Sequence, residues 1–374
     1  MITAIIFILI LGLLIFVHEL GHFLTARRNG IKADEFGFGF PPRMVGFIKD
    51  EITGKYKIIW GGKEVKSKNT IYSINWIPLG GFVKIKGEGG EAKSESDSFA
   101  GKSALIRIKV LVAGVLMNFV LAWILISLAF MIGAPEATDP GEFAGKDAKI
   151  QIAATVPDSP SEAVGLSVGD EILKNQNGIS LQDIKSVQDY INEKKGQELV
   201  LNIKRGKDIL NIKVIPRENF PDDQGPLGIS LVQTKIVKYP WYQAIIKGIE
   251  MVFSLVVTMF SALGLILKSL FVGKSAGIDV AGPVGIAVLT KQAATLGFVY
   301  ILQFTALLSI NLGIINILPI PALDGGRILF ILIEKIKGSP VSQKAEQIFH
   351  TIGFTLLIML MVLVTFRDVL RFFK

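Results

Sequence analysis

Cysteine is absent from the 374 residues of the chain, and histidine occurs only three times. The absence of cysteine excludes disulfide bonds and thiolate zinc sites, although it identifies no redox compartment. Any bound metal must therefore be held by histidine, aspartate or glutamate. The scarcity of histidine also makes a chance match to a histidine metal motif less frequent.

Half of the residues are hydrophobic, and the mean hydropathy is +0.50. These values are too apolar for an ordinary soluble protein and too polar for a membrane protein that has no soluble part. We therefore expect several transmembrane helices and at least one domain in water. The net charge of +8 suits a protein that lies against the anionic headgroups of a lipid bilayer. Because the basic residues lie mostly in loops beside apolar segments, we expect no nucleic-acid partner.

The first third of the chain alternates between apolar and basic segments. The initial apolar stretch ends with Arg27 and Arg28, whereas a cleaved signal peptide carries its basic residues first. Residues 25–109 contain 16 lysines and arginines against 9 acidic residues, which predicts a cytoplasmic location. The sequence predicts a first transmembrane helix at 1–27, a cytoplasmic loop at 28–109 and a second transmembrane helix at 110–134.

The next part of the chain is more polar. Residues 141–235 contain 12 basic and 14 acidic residues, no long apolar run and much alternation of valine and isoleucine. This composition indicates a water-exposed domain on the opposite side of the membrane. The regions that follow are predicted to be an apolar helix and connection at 240–295, a third transmembrane region at 296–337 and a fourth transmembrane helix at 346–374.

Within the cytoplasmic loop, residues 56–86 predict strands and hairpins, because β-branched and aromatic residues alternate between glycine and proline. Two interpretations remain open, a β-hairpin that dips into the membrane interface and a small soluble hairpin. Residues 87–104 are rich in glycine, serine and glutamate and predict a flexible connector.

The segment FVHELGHF at 16–23 contains the metal signature H-E-x-x-H near the end of the first apolar helix. On a helix His18 and His22 lie on one face and can bind one ion, while Glu19 can hold a water molecule and accept its proton. His18 lies about 13 Å from Arg27 along a helix, which places the metal roughly a third to half of the way into the bilayer. The sequence therefore predicts an intramembrane zinc site.

The third zinc ligand is predicted in the segment NLGIINILPIPALDGGRILF. Asn316, Pro319 and Pro321 interrupt an apolar run, and broken backbone at membrane depth is tolerated where it lines a cavity. Asp324 follows this break and can be a ligand, the cap of the next helix, or both. His350 lies near the start of the last span without a partner motif, so we expect it to have a structural or interfacial role.

The two motifs, with a soluble domain between them, resemble those of the site-2 proteases. The signature HELGH is followed much later by Asn-x-x-Pro-x-Pro-x-Leu-Asp-Gly, and the overall pattern is most similar to the bacterial regulator-of-sigma-E protease group. The resemblance covers essentially the whole chain. It implies that His18, His22 and Asp324 bind Zn2+ and that Glu19 is the general base.

The resemblance also implies how substrate is held. In the family, a membrane-associated β-loop and the broken helix are thought to engage and orient an unwound substrate. The residues implied in substrate binding are Gly80, Gly81, Phe82, Asn316, Pro319 and Pro321. The segment AGVLMNF at 113–119 resembles another family motif, but Val115 replaces the usual proline and leaves the local backbone open.

The segment SPSEAVGLSVGDEILKNQNGISL at 159–181 resembles part of a PDZ domain. PDZ domains bind extended peptides by adding a strand to a sheet edge. A structural cap that binds no peptide is the alternative. We find one copy, whereas many close relatives of the family carry two in tandem.

Three ligands of one ion must lie at the same depth, and this requirement constrains the topology. The first helix runs inward, the second runs outward, and the helix before Asp324 must run inward again. The apolar segment at 244–272 therefore cannot make a net crossing, and we expect it to lie along the extracytoplasmic surface or to enter and leave the membrane on that side. We predict a polytopic α-helical membrane protein with about four transmembrane helices, a membrane-associated β-hairpin loop and one extracytoplasmic PDZ domain of α+β type.

These features predict a zinc endopeptidase that cuts single-pass membrane proteins within or near their transmembrane segments. The resemblance implies anti-sigma factors or remnant signal peptides as substrates, in the inner membrane of a bacterium, with the active site towards the cytoplasm. The alternative is a zinc-dependent membrane scaffold or transporter. A transporter would show internal repeats, and a scaffold would have lost Glu19 or a ligand, but neither feature is found.

Overall fold

The structure is a computed structural model that describes residues 2–63, 65, 67–138, 148–173, 175–176, 179–221, 224–272, 282–339 and 341–372. Its helices are α1 (Ile2–Arg28), α2 (Ala104–Ile132), α3 (Pro160–Ala163), α4 (Ile184–Glu193), α5 (Trp241–Val272), α6 (Pro283–Leu296), α7 (Phe298–Ile317), α8 (Asp324–Lys337) and α9 (Gln343–Phe372). Its strands are β1 (Ala33–Lys49), β2 (Tyr56–Trp60), β3 (Ile71–Ile85), β4 (Ala134–Ala137), β5 (Lys149–Thr155), β6 (Glu171–Ile172), β7 (Asn175–Gln176), β8 (Ile179–Ser180), β9 (Leu199–Arg205), β10 (Asp208–Val214) and β11 (Ile229–Val237).

The chain forms two compact units. The first contains Met1–Ile126, Ile245–Thr290 and Gln303–Lys374, and the second contains Ser127–Ala244 and Lys291–Leu302. The HELGH motif and Asp324 fall in the first unit, whereas the predicted spans at 110–134 and 296–337 are divided between the two units. The predicted water-exposed domain at 141–235 falls within the second.

Five helices in the described residues are long and apolar enough to span a membrane, where the sequence predicts about four. The additional candidate is Trp241–Ser269, within the region that is predicted not to cross. This helix is a candidate span by its length and composition only. Whether it runs along the bilayer or through it stays a prediction. The other four candidates coincide with the predicted spans, which supports a polytopic membrane protein.

The loop at residues 28–109, predicted to be cytoplasmic, contains a three-stranded antiparallel sheet with the order β2-β1-β3. The predicted strands are β2 and β3, and the central strand β1 was not predicted. Strand β3 packs on α1 at Gly80, where an added Cβ would lie 2.7 Å from Cβ of Ile15. The loop is therefore a small sheet attached to the first apolar helix rather than a hairpin alone.

Residues 87–104 are not the flexible connector that the sequence predicts. They form successive turns, and the Phe99 side chain is buried in a core with Ala26 and Ile85. Lys86 donates to the Asp97 carboxylate at 2.8 Å and lowers the pKa of that carboxyl. One apolar anchor and local ion pairs order a segment whose composition is that of a linker.

The second unit has an antiparallel sheet with the order β10-β9-β6-β5-β11-β4. Its core contains the buried residues Ile150, Leu201 and Ile203 of the sheet together with Val187 of α4. The α+β character agrees with the prediction for 141–235, although β4 extends the sheet to Ala134–Ala137. The assignment as a PDZ domain stays a prediction.

Candidate active site

Helix α1 supplies the two histidines of the HELGH motif. It is apolar on all sides and contains no proline, so the helix runs without a break from the first turn to Arg28. His18 and His22 are both 7% exposed, and their Nε2 atoms lie 3.1 Å apart. The i, i+4 spacing thus brings two ring nitrogens to one point on the helix surface, as predicted.

Asp324, the first residue of α8, lies at the same point. Its Oδ2 lies 3.1 Å from His18 Nε2 and 3.3 Å from His22 Nε2. Leu323 is the N-cap of α8 and Asp324 is the first residue inside the helix, so the capping alternative for Asp324 is wrong. The carboxylate is directed at the histidines instead.

The three atoms fit a zinc ion. Zinc bonds of ~2.0–2.2 Å in tetrahedral geometry separate neighbouring ligand atoms by about 3.4 Å, close to the three separations in this site. His22 Nδ1 lies 2.9 Å from the carbonyl oxygen of Val110, and donation to it leaves the Nε2 lone pair free. Two nitrogen lone pairs and a carboxylate oxygen therefore converge, an arrangement that repels itself unless a cation lies between them.

Helix α2 supplies the groups that orient both imidazoles. Besides the Val110 carbonyl on His22, the amide nitrogen Nδ2 of fully buried Asn118 lies 3.2 Å from His18 Nδ1. A ring that binds metal through Nε2 carries its hydrogen on Nδ1, so the amide oxygen of Asn118 must face it. Among the described residues Asn118 Oδ1 has no hydrogen-bond partner. A 180° rotation of the amide group exchanges its two atoms and places Oδ1 against His18 Nδ1.

Small residues allow α2 to approach α1 closely. An added Cβ on Gly114 would lie 2.5 Å from His22 Nε2 and 2.9 Å from His18 Cε1. An added Cβ on Gly21 would overlap the Ala113 backbone. The sequence analysis connected the segment at 113–119 with the family but assigned no role to Gly114 or Asn118. The feature of the sequence that could have indicated these roles was a polar residue and a glycine within an otherwise apolar span.

The predicted break before Asp324 lies at residues 318–323, between α7 and α8. An added Cβ on Gly325 would overlap the carbonyl oxygen of Ile317, and one on Gly326 would overlap that of Ile320. The two glycines thus let α8 begin directly against the end of the break. One turn later, Arg327 forms an ion pair with Glu88 in the turn after β3.

The remaining predicted residues surround these elements without joining the ligand set. Asn316 is partly buried near the end of α7, Pro319 is exposed and Pro321 is partly buried in the break. Gly80 and Gly81 are buried against Ile15 and Phe16 of α1, which gives them a packing role, and Phe82 is partly buried beside them. Their contact with substrate stays a prediction.

Glu19 lies in the same turn as the ligands, within electrostatic range of both histidines and Asp324. The site thus contains a carboxylate that is free of the ligand set and can accept a proton. Among the described residues, His18, His22 and Asp324 form the one group of histidine and acidic side chains placed to hold a metal. His350 is outside this group, as predicted.

Comparison with known proteins also indicates a zinc metalloprotease, and the matches cover nearly the whole chain. The family model described as "Peptidase family M50" matches residues 6–63 and 55–360. A Clostridium perfringens protein, whose name assigns it provisionally as a zinc metalloprotease, is 37% identical over 362 residues, covering 96% of this chain and 95% of the relative. A similarly named protein of Clostridium acetobutylicum is 33% identical over 368 residues, covering 98% and 97%.

A third relative is the regulator of sigma-W protease RasP of Bacillus subtilis, 28% identical over 452 aligned positions that cover 99% of each chain. Alignments of this extent span the residues of both motifs and the segments between them. The family model, the relatives and the ligand geometry together show that the chain belongs to peptidase family M50, the site-2 proteases, and is a zinc metalloendopeptidase.

Proposed function

We propose that the chain is an intramembrane protease that hydrolyses peptide bonds within or near the transmembrane segments of single-pass membrane proteins. The observation that carries this proposal is the position of the ligands His18 and His22, inside the apolar helix α1. They precede Arg27 by five to nine residues, or roughly 7–13 Å of helix. The bond to be cut must therefore be within reach of the bilayer.

The residues of the site have distinct roles in this reaction. When bound by His18, His22 and Asp324, zinc supplies a Lewis acid that polarises the scissile carbonyl and acidifies water. Glu19 accepts the proton of the attacking water and returns it to the leaving amine nitrogen. Val110 and Asn118 hold the imidazoles so that their Nε2 lone pairs stay directed at the metal.

A substrate helix must unwind before its carbonyls are accessible, because its backbone hydrogen bonds hide them. The sheet β2-β1-β3 and the break at residues 318–323 both offer backbone groups to an extended strand. The name of the Bacillus subtilis relative connects that protein with a sigma factor. We therefore expect membrane-anchored anti-sigma factors or remnant signal peptides as substrates of this chain, in the inner membrane of a bacterium.

Glu19→Gln tests the proposal. The full chain is reconstituted in vesicles with a single-pass substrate, and products are located by mass spectrometry. We expect cleavage within or near the span to fall at least ~10³-fold, because the proton acceptor is lost while the zinc ligands remain. Zinc content should be unchanged. Glu193→Gln, an exposed carboxylate at the end of α4, is the matched control and should cleave normally.

Three outcomes would contradict the proposal. Cleavage that survives Glu19→Gln would show that the site does not catalyse it. Cleavage of the same sequence only as a free soluble peptide, and never in the bilayer, would show a peptidase of another kind. Zinc binding without any hydrolysis would instead support the alternative of a zinc-dependent membrane scaffold.

We further propose that the second unit binds an extended peptide, as a PDZ domain does. A groove of about 630 Å³ lies between α4 and β11 and is lined by Ile191, Leu227, Ile229 and Leu231 among others. From Ile229 to Val232, β11 pairs with β5 on one side and with no described strand on the other. The free edge and its apolar groove suit a peptide with a hydrophobic residue, such as a newly formed C-terminus.

Leu231→Glu tests this second proposal by placing a charge in the groove. Binding of fluorescent peptides with apolar C-termini to the full chain should fall at least ~10-fold, because an unpaired charge would be desolvated. Asp208→Lys, on the exposed face of β10, is the control. Equal binding by both variants, or none by the unaltered chain, would assign the unit a structural role.

A further inference from the structure

The segment that leads into Asp324 contains an unusual backbone conformation. Ala322 has a φ of +70°, in the left-handed region that residues with a Cβ adopt only against steric resistance. Only Leu323 separates Ala322 from the ligand Asp324. A change of conformation at Ala322 would therefore swing the start of α8 and displace the Asp324 carboxylate.

His350 of α9 makes a direct contact with this residue. The backbone N–H of Ala322 donates to His350 Nδ1 at 2.8 Å. Acceptance at Nδ1 requires the neutral ring with its hydrogen on Nε2. The ring lies beside Phe330 of α8 and Phe349 of α9, with each pair of ring centres 5.8 Å apart, so packing fixes the orientation of the acceptor.

A second contact shows that α9 is fitted to the same segment. Gly353, one turn after His350, is buried against Pro321, and an added Cβ at this position would overlap the proline. The glycine allows α9 to approach the backbone closely enough for the His350 hydrogen bond. Two residues on one face of α9 thus contact two consecutive residues of the break.

We propose that His350 is a positioning residue of the metal site. It holds Ala322 in the left-handed conformation and so directs the Asp324 carboxylate at His18 and His22. The inference rests on the proposed zinc protease function, and it extends the site to α9, which contributes no ligand. The sequence predicts a structural or interfacial role for His350, and the hydrogen bond from the Ala322 N–H is a structural contact of this kind.

Pairs of substitutions separate the hydrogen bond from simple packing. In His350→Asn the amide oxygen can occupy the place of Nδ1, whereas in His350→Gln it lies beyond that place, near Nε2. His350→Leu removes the acceptor altogether. Ala322→Gly is the compensating change, because glycine adopts a positive φ without steric resistance and should need no clamp.

The zinc affinity of the purified full chain is measured by competition with a chromogenic chelator, alongside the thermal midpoint and kcat and KM for an embedded substrate. We expect His350→Leu and His350→Gln to weaken zinc binding by roughly 10-fold or more, as is usual for outer-sphere partners. His350→Asn should stay within about threefold of the unaltered chain. Ala322→Gly should restore most of the zinc affinity lost in His350→Leu.

The inference would be overturned if His350→Leu bound zinc as tightly as the unaltered chain. It would also be overturned if Asn and Gln were equally impaired and Ala322→Gly restored nothing, since His350 would then act through packing alone. A failure of the proposed function looks different. In that case the unaltered chain would bind zinc, and these variants would change the affinity, but no substrate would be cut.

Discussion

At the scale of single residues, Asn118 and Val110 determine the tautomer and the orientation of the two imidazole rings before any metal binds. Each imidazole has its Nδ1 engaged by α2, so its Nε2 lone pair is directed at the same point. The pair is therefore pre-organised, and little rearrangement is needed on binding. A buried amide in an apolar helix is otherwise unfavourable, which supports a role at the metal.

We predict that Asn118→Ala weakens zinc binding by about 10- to 100-fold, because His18 Nδ1–H loses its acceptor and the ring can rotate. Zinc affinity is measured by chelator competition. Ser127→Ala is the control, since Ser127 is also buried on α2 and its hydroxyl has no hydrogen-bond partner among the described residues. Equal affinities for the two variants would show that Asn118 does not orient His18.

The convergence of His18, His22 and Asp324 was predictable from the sequence, but the residues that support them were not. His18 and His22 follow from a local spacing on one helix, and Asp324 follows from a helix break with a carboxylate beside it. Asn118 and His350 act through the register in which α2 and α9 pack on other elements. That register depends on close contacts at Gly114 and Gly353, which no local pattern in the sequence specifies.

At the scale of elements, the contact between β3 and α1 connects the three-stranded sheet to the helix that contains His18 and His22. Gly80 has a φ of +87° and lies against Ile15, one turn before His18. The absence of a side chain at Gly80 lets the strand approach the helix. The sheet and the HELGH motif therefore form one packed element pair, and the strand is placed beside the site.

We predict that Gly80→Ala destabilises this element pair by ~1–3 kcal/mol, because both the positive φ and the contact with Ile15 resist a Cβ. The thermal midpoint in detergent should fall. Gly62→Ala is the control, since a Cβ there meets nothing within 4 Å. A loss of cleavage with an unchanged midpoint would instead support direct contact between Gly80 and substrate.

Strand β1 shows where sequence patterns failed at this scale. Its segment FGFGFPPRM contains two glycines and two consecutive prolines, which argue against a regular strand. The structure accommodates them through repeated irregularities in the pairing of β1 with β3. The break at residues 318–323, by contrast, was predictable because prolines end a helix by local sterics alone.

At the scale of the whole molecule, the lack of cysteine allows a direct test of topology. We predict that single cysteines at Lys57 and Lys207 lie on opposite sides of the membrane, with Lys57 cytoplasmic because basic loops stay inside. A membrane-impermeant maleimide added to intact cells should label the Lys207 position, and it should label the Lys57 position only after permeabilisation.

A cysteine at Ser275, which lies outside the described residues, tests whether Trp241–Ser269 crosses. We expect labelling from outside, because the ligands must share one depth and the segment then makes no net crossing. Labelling at Ser275 only after permeabilisation would contradict the topology. The unaltered chain gives no background signal, since it contains no thiol.

The separation of Asp324 from the two histidines also affects biosynthesis. Helix α1 leaves the ribosome with two of the three residues of the metal site, and Asp324 follows roughly 300 residues later, after about 15–60 s of translation at ~5–20 residues/s. During that interval the nascent chain has no complete ligand set, and neither does any fragment released early. A membrane protease assembled in this order cannot cleave neighbouring nascent helices before its own synthesis is almost finished.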